Sequence, residues 1–188
     1  MNTRSQEQVD LQREELAIRR AAVTALFLCL LCFAVGYFTL PVFFDFPTEL
    51  VDRLAFAVQA SVFVLIWVLV GVGMVSWGRR HSVADIGGSA SEPPSSRIAI
   101  QAAFLQNTLE QAVLAVGAYL ALASLIGGAW LSLIVIAIII FAVGRVLFLF
   151  GYRRYPTVAR GRALGMALTV IPTLAGYVLA IALIAVQS

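Results

Sequence analysis

The chain has 188 residues, of which 61% are hydrophobic and only 12% are charged, whereas a soluble domain averages about 45–50% apolar and about 25% charged residues. A single soluble core cannot absorb so much apolar side chain, so the surrounding solvent must be largely lipid, which excludes soluble enzymes, nucleic-acid-binding modules and secreted disulfide scaffolds. The formal net charge of +3 comes from 13 arginines, with no lysine, against 10 acidic residues. In a membrane protein such arginines first indicate topology.

The N-terminal part predicts one helix that enters a membrane. Residues 1–20 mix four arginines with four acidic residues and predict a solvated cytoplasmic helix, in which Glu15 and Arg19 lie one turn apart. Residues 21–44 carry no charge and, at about 1.5 Å per residue, are long enough to cross a core of about 30 Å. We therefore predict an additional transmembrane helix there. The alternative is a cleaved signal peptide, but its apolar stretch is usually only about 7–15 residues and ends at a small-residue site.

Two cysteines, Cys29 and Cys32, lie in this apolar stretch with C-x-x-C spacing. A zinc ion or a reactive thiolate needs polar surroundings, which an apolar stretch does not supply. We therefore expect both cysteines to pack or to face lipid as small hydrophobic side chains, and we expect no metal site.

Four further apolar stretches are long enough to cross a bilayer. The 33 uncharged residues from 112 to 144 would make about 50 Å of helix, so they contain two spans that Gly127-Gly128 separates. Pro172 lies in the last span and is expected to kink it, and the spacing of Gly161 and Gly165 predicts close helix packing. The predicted spans are approximately residues 54–77, 101–126, 130–152 and 163–186.

The connections between the spans decide the orientation. Residues 45–53 form a short acidic loop, residues 78–97 predict a flexible Gly/Ser/Pro-rich connector, and residues 153–162 form a basic loop. Eleven arginines lie in the N-terminal segment and the two basic connections, against Arg53 alone on the opposite side. The positive-inside rule therefore places the N-terminus in the cytoplasm and the C-terminus outside. The lysine-free composition hints at a GC-rich genome. We expect the protein to lie in a bacterial inner membrane.

Two charges remain inside the predicted spans, Glu110 and Arg145. Ions at membrane depth are costly, so each is expected to be buried in protein and paired. Both lie near the cytoplasmic side, which predicts an ion pair within one subunit or between subunits. Asn107 lies on the same helix face as Glu110, three residues earlier. The polar residues around Glu110 fit either hydrogen bonds between helices or a ligand site near the cytoplasmic surface.

These residues resemble a known family. The stretch FLQNTLEQ at 104–111, followed after the double glycine by GRVLFLFGY at 144–152 and by Arg160-Gly161, is similar to the MAPEG family, the membrane-associated proteins of eicosanoid and glutathione metabolism. The resemblance covers residues 54–188 as a four-helix domain. The first span lies outside it as an addition. The fold expected is an all-α polytopic membrane helix bundle.

The resemblance implies a function and a site. It implies a homotrimer with glutathione as co-substrate, bound between subunits on the cytoplasmic side, and a transferase or peroxidase activity on lipophilic electrophiles. Asn107 and Glu110 match family residues that contact glutathione or hold its arginines, and Arg145 and Tyr152 match the arginine and tyrosine of the next helix. Arg160 matches the arginine proposed to stabilise the glutathione thiolate, since a nearby cation lowers a thiol pKa.

Two positions depart from the family pattern. Where glutathione-using members carry an arginine one turn before the asparagine, this chain has Ala103, and a commonly found tyrosine is Phe148. A bidentate arginine clamp is not easily replaced. Two hypotheses therefore stand: a glutathione-dependent enzyme, or a membrane scaffold or binding subunit that has lost the glutathione chemistry.

Overall fold

The fold is a bundle of five long helices. In the computed structural model, which describes residues 11–88 and 92–187, helices cover 84% of the described residues and none of these residues is in a strand. All five helices are long and apolar enough to cross a membrane. This confirms the predicted all-α polytopic membrane bundle. The helices are α1 (Leu11–Phe43), α2 (Leu50–Arg80), α3 (Ala99–Leu125), α4 (Ser132–Arg154, preceded by a 3-10 turn at Gly128–Leu131) and α5 (Arg160–Gln187).

Helix α1 joins the solvated segment and the first span into one helix of 33 residues. The predicted one-turn pair forms, because Arg19 Nη2 lies 2.5 Å from Glu15 Oε1. Residues 1–10 of the predicted N-terminal helix, and residues 89–91 of the connector, lie outside the described residues. Cys29 is buried and Cys32 is exposed, and both are free thiols.

The helices pack through small side chains. The closest pairs are α4 with α5 and α2 with α3, while α1 lies against α5 and α4. In lipid, apolar side chains gain little from leaving the solvent, so van der Waals packing stabilises the contacts between helices. Small residues strengthen this packing because they let the helices approach closely. The largest buried cluster is accordingly rich in alanine and includes Ala57, Ala60, Ala112, Ala115, Ala118, Ala123 and Ala137.

Four glycines form the contact between α4 and α5. A Cβ added at Gly144 would lie 2.9 Å from the carbonyl oxygen of Gly165, and one added at Gly161 would lie 2.7 Å from that of Gly151. Real Cβ atoms do not come so close to backbone, so the two helices touch at their main chains. The close packing predicted at Gly161 and Gly165 is confirmed.

The predicted double-glycine turn closes one end of the bundle. Gly128 has a φ of +58°, a left-handed conformation that glycine adopts without a steric penalty, and its N–H donates to the carbonyl of Pro47 at 2.9 Å. Arg53 reaches the end of α3, where its Nη2 donates to the Ser124 carbonyl at 3.4 Å. Arg53 therefore binds an orphan carbonyl at a helix C-terminus.

The connector between α2 and α3 contains a hydrogen-bonded cluster around Asp85. Asp85 is 5% exposed and accepts hydrogen bonds from the Ser82 hydroxyl, the Ser95 hydroxyl (2.6 Å) and the Ser95 N–H (2.8 Å). The hydrogen bonds from Ser82 and then from Ser95 lower the pKa of the Asp85 carboxyl below its ordinary value. One carboxylate therefore links Ser82 and Ser95, which lie toward the two ends of the predicted connector.

Candidate functional site

Arg145 is the centre of a buried polar cluster. The side chain is fully buried on α4, its Nη1 donates to Asn107 Oδ1 of α3 at 2.7 Å, and its Nη2 donates to Thr169 Oγ1 of α5 at 2.5 Å. The guanidinium also lies 4.8 Å from the ring centroid of Phe148 and 5.4 Å from that of Phe141, within the range of cation–π attraction. Arg145 thus links three helices through neutral partners.

The expected pairing of Glu110 with Arg145 was wrong within the chain. Glu110 is exposed and accepts a hydrogen bond from Gln106 Nε2 at 2.9 Å. Arg145 is fully buried and donates from both terminal nitrogens, to Asn107 and to Thr169, so its hydrogen-bond partners within the chain are neutral. Asn107 turns toward α4 while Glu110, three residues later, points away from the chain. With 3.6 residues per turn, the two side chains are about 60° apart around the helix axis. This angle is enough to place Asn107 inside the bundle and Glu110 on its outer surface.

A cavity of about 490 Å³ lies beside this cluster, between α1, α3, α4 and α5. Most of its wall is apolar, and three side chains with polar groups contribute to it: Asn107, Tyr152 and Arg162. The Arg162 guanidinium lies 4.7 Å from the centroid of the Tyr152 ring. The remaining lining residues are Ile18, Ala22, Ala103, Phe148, Ala159, Ala163, Met166, Ala167, Val170 and Ile171. An apolar cavity with a few converging polar groups is the usual form of a small-molecule site.

Arg160, the first residue of α5, contacts the additional helix. Its backbone N–H donates to Glu14 Oε2 at 2.9 Å, and its Nε lies 3.6 Å from Glu14 Oε1. The Glu14 side chain is 10% exposed and that of Arg160 is 55% exposed. Solvent therefore screens the ion pair, while the carboxylate itself is enclosed.

The sequence model of the MAPEG family matches residues 54–182, which is well over half of the chain. The chain belongs to the MAPEG family. The matched range begins in α2 and ends in α5, so α1 precedes it. The comparisons with curated proteins and with solved structures found no match.

The structure brings some of the residues that match the MAPEG motif together. Asn107 contacts Arg145 and lines the cavity with Tyr152. Glu110 lies apart on the outer surface, and Arg160 is at the same end of the bundle but contributes no lining, whereas Arg162 does. The roles predicted for these residues in glutathione binding stay predictions.

The two departures from the MAPEG pattern both lie in the cavity wall. Ala103 leaves a methyl group where glutathione-using members carry an arginine, and Phe148 presents a ring to Arg145 in place of a phenol. The cation that remains in the lining is Arg162. A ligand in this cavity therefore meets one guanidinium and a largely apolar surface.

Sequence reasoning missed three residues of this region: Glu14, Thr169 and Arg162. Thr169 carried a usable signal, because a polar residue in an apolar span is expected to hydrogen-bond inside the bundle. Arg162 was read only as a topology signal. Glu14 carried no signal, since several charged residues surround it in the sequence and only the packing of α1 on α5 selects it. Among residues 11–88 and 92–187, no group of three or more His, Cys, Asp or Glu side chains could hold a metal ion.

Proposed function

We propose that this MAPEG protein is a glutathione-dependent transferase or peroxidase that acts on lipophilic electrophiles. The observation that carries the proposal is the cavity, whose apolar wall suits a molecule arriving from the bilayer and whose Asn107, Tyr152 and Arg162 side chains suit a polar co-substrate. Arg145 orients the Asn107 amide by donating a hydrogen bond from Nη1 to its Oδ1. The nitrogen of that amide then faces the ligand as a donor.

The chemistry requires a glutathione thiolate. A free thiol has a pKa of about 8.5, so at neutral pH only a minor fraction is the nucleophilic form. Arg160 and Arg162 lie in the first turn of α5, where the helix dipole adds to their positive charge and favours an anion. In the proposed transfer the thiolate sulfur forms a bond to the electrophilic carbon, and the electron pair of the broken bond leaves with the displaced group.

We further propose that the chain assembles as a homotrimer with its sites facing the cytoplasm. Glu110 is an exposed carboxylate at membrane depth, flanked by the exposed apolar side chains of Leu109 and Val113. Lipid solvates an ionised carboxylate poorly, so contact with a second copy of the chain at this surface would lower the cost of the charge. The MAPEG resemblance supports the trimer and a site between subunits, and the arginine distribution supports the cytoplasmic side.

The second candidate is a binding subunit without glutathione chemistry. Ala103 removes the arginine that clamps a glutathione carboxylate, and Glu14 already occupies Arg160. In this alternative the cavity would hold a lipophilic molecule, and the polar cluster would serve folding and assembly.

Calorimetry and thiolate absorbance with glutathione separate the two candidates. For the purified full-length protein we expect weak binding with a thiolate signal, and loss of that signal in Arg160→Ala because the stabilising cation is gone. The matched control is Arg153→Ala, which removes an exposed arginine at the same end of the bundle and should leave the signal intact. Absence of binding at millimolar glutathione would contradict the enzyme and favour the binding subunit.

A further inference from the structure

Glu14 differs from its neighbours in α1. It is 7% exposed, whereas Leu11, Arg13, Glu15 and Leu16 are all exposed. Burial of a carboxylate costs free energy unless opposite charges or hydrogen-bond donors compensate the loss of water. The compensating groups here are both supplied by the first residue of α5.

The Glu14 carboxylate lies at the N-terminus of α5, against Arg160. One oxygen accepts the Arg160 N–H at 2.9 Å, and the other lies 3.6 Å from Arg160 Nε. Free backbone N–H groups, the positive end of a helix dipole and a guanidinium together make an anion-binding position. In this structure the chain fills that position with its own side chain.

The two halves of this contact come from different parts of the chain. Arg160 belongs to the range that matches the MAPEG family, and Glu14 belongs to the helix that precedes it. Ile18 and Ala22, one and two turns after Glu14, line the cavity. The same face of α1 therefore covers both the anion position and one wall of the cavity.

Deeper in the membrane α1 is held independently of Glu14. Ala25 and Cys29 are buried against Ile140 and Leu168, and the ring of Tyr37 lies 4.8 Å from that of Trp130. The first turns of α1 lack comparable packing, because most of their side chains are exposed. Loss of the Glu14 contact would therefore release the start of the helix and leave the rest in place.

We propose that Glu14 is a latch on the proposed active site: its carboxylate competes with the substrate anion for Arg160 and the start of α5. The latch rests on the proposed function for the identity of that anion, which is the thiolate or a carboxylate of glutathione. Binding requires the ligand to displace Glu14, so α1 lowers the affinity of the site for anions. Glu14 acts through Arg160 and is not itself a catalytic residue.

The first test compares glutathione affinity in Glu14→Gln and Glu15→Gln by calorimetry on the full-length protein. The glutamine oxygen still accepts the Arg160 N–H, so only the competing charge is lost, and we expect about fivefold tighter binding. Glu15→Gln removes the same charge from an exposed site paired with Arg19 and should leave the affinity unchanged. Weaker or unchanged binding in Glu14→Gln would overturn the latch, since Glu14 would then support Arg160 instead of competing with it.

The second test does not depend on glutathione. Spin labels at Leu11→Cys and Thr157→Cys, both exposed positions, in a background with Cys29→Ala and Cys32→Ala, report the distance between the start of α1 and the α4–α5 loop. We expect a narrow distance distribution with Glu14 and a broader, longer one with Glu14→Ala, which removes both the charge and the acceptor of the Arg160 N–H. An unchanged distribution would overturn the latch. If neither the wild type nor Glu14→Gln binds glutathione but the distance distribution broadens in Glu14→Ala, the proposed function fails. The Glu14 contact would then still be shown to hold the start of α1.

Discussion

The two ends of the bundle use the same five helices in different ways. At the arginine-rich end a cavity of about 490 Å³ has Asn107, Tyr152 and Arg162 in its wall, and a fully buried guanidinium lies beside it. Toward the opposite end a cavity of about 180 Å³ lies between α1, α3, α4 and α5, with Tyr119 as the one lining residue that carries a side-chain polar group. The first cavity carries polar groups that could bind a ligand, whereas the second is lined almost entirely by apolar side chains.

This difference shows where each kind of constraint acts. Alanine-rich packing tolerates small changes, because neighbouring side chains can shift. The arginine-rich end depends on main-chain contact between glycines and on buried hydrogen bonds, in which removal of one partner leaves the other unsatisfied. Substitutions should therefore cost more at the arginine-rich end, and matched pairs of variants test this expectation.

The largest effect is expected for the same substitution at two glycines of α5. A Cβ at Gly165 would overlap the backbone of Phe148 and lie 2.6 Å from the Gly144 carbonyl oxygen, whereas one at Gly176 would meet Ala118 Cβ at 3.3 Å. We expect Gly165→Ala to lower the free energy of unfolding by about 3 kcal/mol and Gly176→Ala to change it by less than about 1 kcal/mol. Thermal unfolding in detergent measures both. Equal costs would show that the two ends pack alike.

A smaller effect is expected from the Arg145 cluster. Asn107→Leu leaves Nη1 of the buried guanidinium without its partner and should cost about 2–3 kcal/mol, and combination with Arg145→Met should recover part of the loss. A coupling of about 1 kcal/mol or more is expected in this double-mutant cycle. The control cycle of Glu110→Gln with Arg145→Met should be additive, because the two side chains do not meet. Coupling in the control cycle would show that Glu110 and Arg145 do interact.

The smallest effect is expected at the α2–α3 loop. Asp85→Asn should open the loop locally, because the Ser82 and Ser95 donors lose a charged acceptor. The native loop should open at low pH as well: the folded-state pKa of Asp85 lies below the ordinary value of 3.8, so its contribution is present above about pH 3.8 and is lost as the pH falls through the lower, folded-state value. Limited proteolysis of the loop measures both changes. Ser96→Ala is the control, and equal cleavage of Asp85→Asn and wild type at neutral pH would show that Asp85 does not hold the loop.

The motif residues illustrate what sequence reasoning could reach. The N-x-x-E spacing singled out Asn107, which does contact Arg145, but it treated Asn107 and Glu110 as one face. Helix α3 is apolar over most of its circumference, so no amphipathic stripe indicates which side is buried. The rotation of the helix about its axis then decided that Asn107 meets Arg145 and Glu110 does not.

The sequence by itself determined the number of spans, the arginine-rich end, the double-glycine turn and the family, because uncharged length, charge position and motif spacing are local properties of the chain. Only the tertiary structure decided the partners of Arg145, the exposure of Glu110, the loop held by Asp85 and the contact of Glu14 with Arg160. Each of these depends on which faces of two helices meet. Most helix faces in lipid are apolar, so the hydrophobic pattern does not show which faces meet. Packing between neighbouring helices determines it.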